Sequence, residues 1–291
     1  MPRISRRALY ALATSAAFEK VVRRTRWGER RAFRAAQRYV AGTTLGDAVA
    51  TVARLQADGL AVSLDLFGES LTAPGAVEKV VEGYLEAASA LVSLKADVYF
   101  EVVPSHLGID VSVEFFRRHA ERIIEALPQG SRFQISAEES HRTDRVMEAV
   151  LSMARAGAPV MPTLQANLRR SPADAVHLID ARVPVRLVKG AYVENPEVSL
   201  PWGDATDVAY LQLAHQLRAG GIDLSIGTHD PVVREALLLA LPGISVEMLL
   251  GVRPDDARDL VRRGHKVRIY VPYGSGWFRY WLRRVAEARG A

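Results

Sequence analysis

The chain has 291 residues, 49% hydrophobic and 24% charged, with a formal net charge of +5. This suits a globular protein with a large core, and one α/β barrel of about 250 residues fits the length. The absence of cysteine excludes disulfides, thiolate metal sites and thiol catalysis, and fits a cytoplasmic protein.

The first forty residues start basic and carry a short apolar run, "MPRISRRALYALATSAAFEK". The arginine-rich pattern continues past it, so the segment reads as an amphipathic helix rather than a signal peptide. No run approaches the roughly 18 apolar residues of a membrane span. Arg23, Arg24, Arg26, Arg30, Arg31, Arg34 and Arg38 concentrate positive charge here. The charge reads as a solvated helix face or as attraction to an anionic surface. No nucleic-acid motif accompanies it, so the expectation is no nucleic acid, with contact at the inner membrane face left open.

From residue 42 strands and helices alternate. Strand-like runs occupy 61–67, 97–103, 132–136, 160–165, 185–189, 223–227, 244–249 and 267–271. Helical patterns cover 74–94, 111–127, 143–156, 172–181, 205–219, 231–241, 254–263 and 277–289. A further helix follows Thr44, a good N-cap, and stops at Gly59. Eight strands, each followed by a helix, predict a parallel sheet, and eight is the number that closes a (β/α)8 barrel. The open doubly wound alternative lacks its GxGxxG fingerprint. The expected domains are a helical extension over 1–41 and a barrel over 42–291.

A barrel builds its active site at the C-terminal strand ends. Those ends carry Asp65 and Glu69; Ser105 and His106; Ser136, Glu138 and Glu139; Gln165 and Asn167; Arg186, Lys189, Gly190 and Tyr192; Thr228, His229 and Asp230; Glu247 and Leu249; and Tyr270 and Tyr273. Lys189 is one of only five lysines against thirty-three arginines. It is read either as a snorkelling strand-end side chain or as a charge aimed into the mouth, where Schiff-base chemistry is the usual use of a barrel lysine. Gly190 lets backbone approach a bulky ligand. The histidines show no metal-ligand spacing, so no metal is expected.

In the last helix, Phe278, Trp281, Leu282 and Val285 form an apolar stripe, with Trp277, Tyr280, Arg283, Arg284 and Glu287 opposite. Two guanidinium forks beside a phenol suit a small carboxylate. Two exposed arginines on a surface helix fit the same pattern.

Several short motifs in one order make the chain resemble the proline dehydrogenase family over nearly its whole length. They are "LDLFGE" (64–69), "LQA" (164–166), "RLVKGAY" (186–192), "THD" (228–230), "MLLGVR" (248–253), "YVPYG" (270–274) and Tyr280, Arg283, Arg284 with Glu287. The resemblance implies a distorted (β/α)8 barrel holding FAD without a covalent link. It implies hydride transfer to flavin N5 from the carbon beside the nitrogen of a small amino or imino acid, with electrons passed on to a quinone. By motif match, Gln165, Arg186, Lys189, Gly190, Ala191, Tyr192, Thr228, His229, Asp230 and Glu287 would contact FAD. Arg283 and Arg284 would hold the substrate carboxylate, with Tyr280, Tyr270, Leu249, Ser136 and Glu247 around the rest. Arg186, Lys189 and Tyr280 would serve catalysis.

The chain departs from the family pattern at four mouth positions. Val103 stands where a lysine is usual, Ser136 where an aspartate is, Asn167 where a tyrosine is, and Glu247 where a glutamine is. Two alternatives therefore accompany proline oxidation: a hydroxylated, N-substituted or hydrazine-like analogue as substrate, and a lysine-based lyase or aldolase without flavin.

Overall fold

The computed structural model describes residues 19, 20, 22, 24–92, 97–190 and 192–288. Eight parallel strands close into one barrel in sequence order. They are β1 (Ala61–Leu66), β2 (Val98–Val102), β3 (Phe133–Ile135), β4 (Val160–Gln165), β5 (Val185–Val188), β6 (Leu224–Gly227), β7 (Ser245–Leu249) and β8 (Val267–Tyr273). Helix α1 (Arg26–Ala36) and helix α2 (Leu45–Ala57) precede β1. The helices between strands are α3 (Pro74–Val92), α4 (Val113–Glu125), α5 (Thr143–Arg155), α6 (Ser171–Asp180), α7 (Asp204–Ala219), α8 (Pro231–Ala240) and α9 (Pro254–Arg262), and α10 (Trp277–Ala288) follows β8. Thr44 and Asp47 form a reciprocal capping box at the start of α2, which satisfies two of the helix's orphan N–H groups.

The period-2 alternation of the strands divides the core. Val62, Leu64, Phe100, Val102, Phe133, Ile135, Leu187, Val246 and Val271 pack outward with the helices in one apolar cluster. Each such side chain contributes about 1.5–3 kcal/mol by burial. The residues between them point into the barrel, where this chain places Ser63, Asp65, Glu101, Gln134, Arg186, Glu247 and Arg268, all buried.

A second cluster joins α1 to α10. Ala32, Ala36 and Val40 pack with Trp277, Phe278, Tyr280 and Leu282, and the Phe33 and Trp277 rings meet edge to face at 5.1 Å. This corrects the expected helical faces: Trp277 and Tyr280, assigned to the polar side, are 2% and 6% exposed. The physical reason is α1, which covers the side that a lone amphipathic helix would leave wet. The lead-in is tied further to the barrel. Arg38 Nε donates to Gly251 O at 2.9 Å, Ala41 N to Pro272 O at 2.9 Å and Gly274 N to Gly42 O at 3.0 Å. Gly251 has φ +73°, and a Cβ there would lie 1.9 Å from Arg38 O, so this crossing admits only glycine.

Candidate active site at the barrel mouth

Arg186 is the hub of the barrel interior. Its Nη1 donates to Glu101 Oε2 at 2.6 Å, and its Nη2 bonds the other Glu101 oxygen. Nη1 also reaches Glu247 Oε2 at 3.3 Å, and Nε donates to Thr163 Oγ1 at 2.9 Å. Glu247 accepts from Gln134 Nε2 on both oxygens, at 3.0 and 2.9 Å. Ser136 Oγ donates to Glu101. One guanidinium thus serves two carboxylates, and each carboxylate has a second donor, the condition under which buried charges are tolerated.

Asp65 lies beside this network, in register with Glu101 across β1 and β2. Tyr270 donates its hydroxyl to Asp65 Oδ2. The Tyr84 hydroxyl lies 3.1 Å from Asp65 Oδ1 and donates to Glu101 O at 2.7 Å. Burial, then the neighbouring Glu101 charge, pushes the Asp65 carboxyl up to about 7 against the opposing tyrosine bonds. Burial and then Asp65 push the Tyr270 and Tyr84 phenols up, so both keep their protons and act as donors. Burial likewise raises Glu138 to about 7, although its Oε1 accepts from Ser105 N at 2.6 Å.

The ends of β5 and β6 carry the residues matched to cofactor contacts. Lys189 leaves β5 on the opposite side from Arg186, its Nζ 2.6 Å from Asp207 Oδ1 and 2.9 Å from Asp230 Oδ2. Burial would lower the ammonium pKa, but the bonds from Asp207 and Asp230 outweigh it and raise it. A Schiff-base lysine needs the reverse shift, so the lyase alternative has no activated amine here. Asp230 Oδ1 caps α8 through Val232 N and Val233 N, at 3.0 and 3.4 Å, and Thr228 Oγ1 accepts from Asp230 N at 3.2 Å. His229 Nε2 accepts from Leu249 N at 3.0 Å. Burial, then Arg284 and other arginines, depresses the imidazole to about 4, so it is neutral.

At the end of β4, Gln165 Nε2 donates to Glu138 O at 2.9 Å. Asn167 is buried, and its Oδ1 has no hydrogen-bond partner among the described residues. Gly190, at φ +151°, lies against it: a Cβ there would come within 2.3 Å of Asn167 Oδ1. The glycine makes room for this amide. Tyr192 donates to Ala137 O at 3.2 Å.

Helix α10 reaches the rim at the ends of β1 and β8. The Tyr280 ring packs 5.2 Å from Phe67 and 5.9 Å from Tyr270. The Arg284 guanidinium lies 5.0 Å from the Tyr280 ring centre. Arg283 Nη1 is 3.9 Å from Glu69 Oε2, and Arg279 Nη1 is 3.5 Å from Glu69 Oε1. The charge of Arg283 acts against the upward shift of the Tyr192 phenol, and that of Arg284 adds to the depression of His229.

The structure therefore gathers Arg186, Glu247, Ser136, Tyr270, Tyr280, Arg283 and Arg284 around one mouth and turns Lys189, just after β5, to Asp207 of α7 and the α8 N-cap Asp230. Ala191 and the Glu287 side chain lie outside the described residues. Of the four departures, Ser136 and Glu247 join the Arg186 network, Asn167 offers an acceptor, and Val103 starts the turn after β2, where its carbonyl accepts from His106 N at 2.9 Å. Glu101, Gln134 and Thr163 were not anticipated. The signal for Glu101 is the alternation of "DVYFEVV", which turns Val98, Phe100 and Val102 outward and Tyr99 and Glu101 inward. Among the described residues no group of His, Cys, Asp or Glu could hold a metal ion, and no helix is long and apolar enough to cross a membrane.

The residues present fit a polar, planar cofactor at one identifiable point. Asn167 Oδ1 is a buried acceptor without a donor among the described residues, which an N–H on a ring edge would satisfy, and unpaired buried acceptors are rare without such a reason.

A closed parallel barrel whose interior charges lie beneath an arginine-bearing helix defines a barrel enzyme working at its strand ends. The family model described as proline dehydrogenase matches residues 48–291, and the chain belongs to that family. Proline dehydrogenase 1 of Bacillus subtilis subsp. natto is 30% identical over 260 residues, 87% of this chain and 86% of that protein. Proline dehydrogenase of Deinococcus radiodurans is 30% identical over 295 residues, 97% and 93% of the two chains. Among solved structures, proline utilization A from Bdellovibrio bacteriovorus has a similar fold, with TM-score 0.79 and 18% identity over 89% of this chain. The chain spans 33% of that larger protein.

Proposed function

We propose that this chain oxidises proline at the carbon beside its nitrogen, with FAD held in the barrel mouth without a covalent link. The observation that carries the reading is family membership over 48–291 together with the arginine-bearing helix α10 beside the mouth. Bound FAD would supply the hydride acceptor. Arg283 and Arg284 would bind the substrate carboxylate, a role that suits the planar guanidinium fork. Glu69 Oε2 lies 3.9 Å from Arg283 Nη1, so a substrate carboxylate would compete with a loose ion-pair partner.

Tyr280 and Tyr270, packed ring against ring, would bound the carbon skeleton and keep water from it. Asn167 Oδ1 and the Gly190 backbone would receive the cofactor ring, with Gln165, Tyr192, Thr228 and the neutral His229 around it. Lys189 would act through Asp230, by fixing the α8 N-terminus. A quinone is the proposed electron acceptor, and the basic N-terminal segment is the part that would meet an anionic membrane face. Acid precipitation tests the cofactor: FAD in the supernatant supports the reading, while colour retained in the pellet or release of FMN contradicts it.

A further inference from the structure

The Arg186 network holds more negative than positive charge. Glu101 and Glu247 both contact the one guanidinium, the three groups sum to one negative charge, and Asp65 adds a partly ionised carboxyl beside them. Neutral groups fill the remaining positions: Ser136 donates to Glu101, Gln134 donates to Glu247, and Thr163 Oγ1 accepts from Arg186 Nε. The guanidinium's orientation is therefore fixed on three sides, and its field is offset at the source.

We propose that Glu101 and Glu247 are positioning residues that lower the reduction potential of the bound flavin by fixing Arg186 and cancelling its charge. This rests on the reading that the mouth holds FAD with its ring beside Arg186. Reduction places negative charge on the isoalloxazine, and a nearby cation stabilises that charge. In a water-poor barrel such interactions are screened far less than in solution. An arginine alone would favour the reduced ring; an arginine flanked by two carboxylates withdraws that help. Glu247 stands where the family pattern has a neutral glutamine, so Glu247→Gln removes one negative charge and keeps the side chain's shape and its bond to Arg186.

The test is the midpoint potential of the FAD-loaded protein, measured by equilibration with a reference dye at fixed pH. Glu247→Gln and Glu101→Gln are each expected to shift it upward, and Arg186→Gln to shift it downward. The FAD dissociation constant is measured alongside, since a loss of structure alone weakens retention without raising the potential. If Glu101→Gln does not fold, Glu247→Gln carries the test. Potentials at or below that of the unaltered protein, with FAD retained, overturn this inference and leave the proposed function standing. A chain that takes up no FAD overturns both.

Discussion

Arg186 and Glu101 meet inside the barrel from β5 and β2, with both terminal guanidinium nitrogens engaged by the two carboxylate oxygens. Glu101→Ala leaves Arg186 charge-balanced by Glu247 but takes the acceptor from its Nη2 and from Ser136, and each buried donor left unsatisfied costs about 1–3 kcal/mol. For a domain of this size a loss of about 3 kcal/mol lowers Tm by roughly 6–12 °C. Thermal unfolding followed by circular dichroism checks it, and an unchanged Tm would mean that the pair contributes little.

Arg283→Ala and Arg284→Ala should weaken substrate binding while leaving flavin content unchanged. Each removes a charge-assisted hydrogen-bonding group worth about 1.5–3 kcal/mol, or roughly ten- to a hundredfold in KM. Arg283→Lys should recover little, because an ammonium lacks the fork. Steady-state kinetics with proline, together with the flavin absorbance of each variant, separates loss of substrate affinity from loss of cofactor.

Gly190→Ala places a Cβ within 2.3 Å of Asn167 Oδ1 at φ +151°. The backbone cannot hold that conformation with a side chain at ordinary cost, about 1–3 kcal/mol, and Asn167 must move. The expected result is a lower flavin-to-protein ratio on purification and a Tm fall of a few degrees. Asn167→Ala should lower the flavin ratio with a smaller change in Tm.

Asp65 gives the stability a pH dependence of definite sign. Its folded value, about 7, lies above the ordinary 3.8, so the folded state binds the proton more tightly. Its contribution is complete below pH 3.8 and is lost as pH rises to 7. Relative to Asp65→Asn, the unaltered protein should therefore lose Tm between pH 4 and 7, with no further relative change above that. His106 and His229, each depressed from 6.5 to about 4, act in the opposite direction in both proteins and cancel in the comparison.

The barrel was legible because its signals are local. Strand alternation and helix caps such as Thr44 lie within a few residues of what they determine, and each expected strand falls within two residues of the observed one at either end. Motif matching singled out Arg283 and Arg284, and the structure puts both on helix α10. Two features were hidden because they depend on distant parts of the chain. Glu101 gains its meaning from Arg186, 85 residues away, and its strand gives only the inward direction. Trp277 is buried by α1, and no periodicity within α10 can report a covering helix. The partners of Lys189 were hidden for a related reason: Asp207 and Asp230, which pair with it, lie in the next two helical units.

The most direct measurement of the central claim is anaerobic mixing of the purified, FAD-loaded protein with L-proline, followed by absorbance at the flavin bands. The account predicts a yellow protein whose absorbance bleaches on adding proline and returns with a quinone. A protein without flavin, or a flavin that proline leaves oxidised, would contradict it.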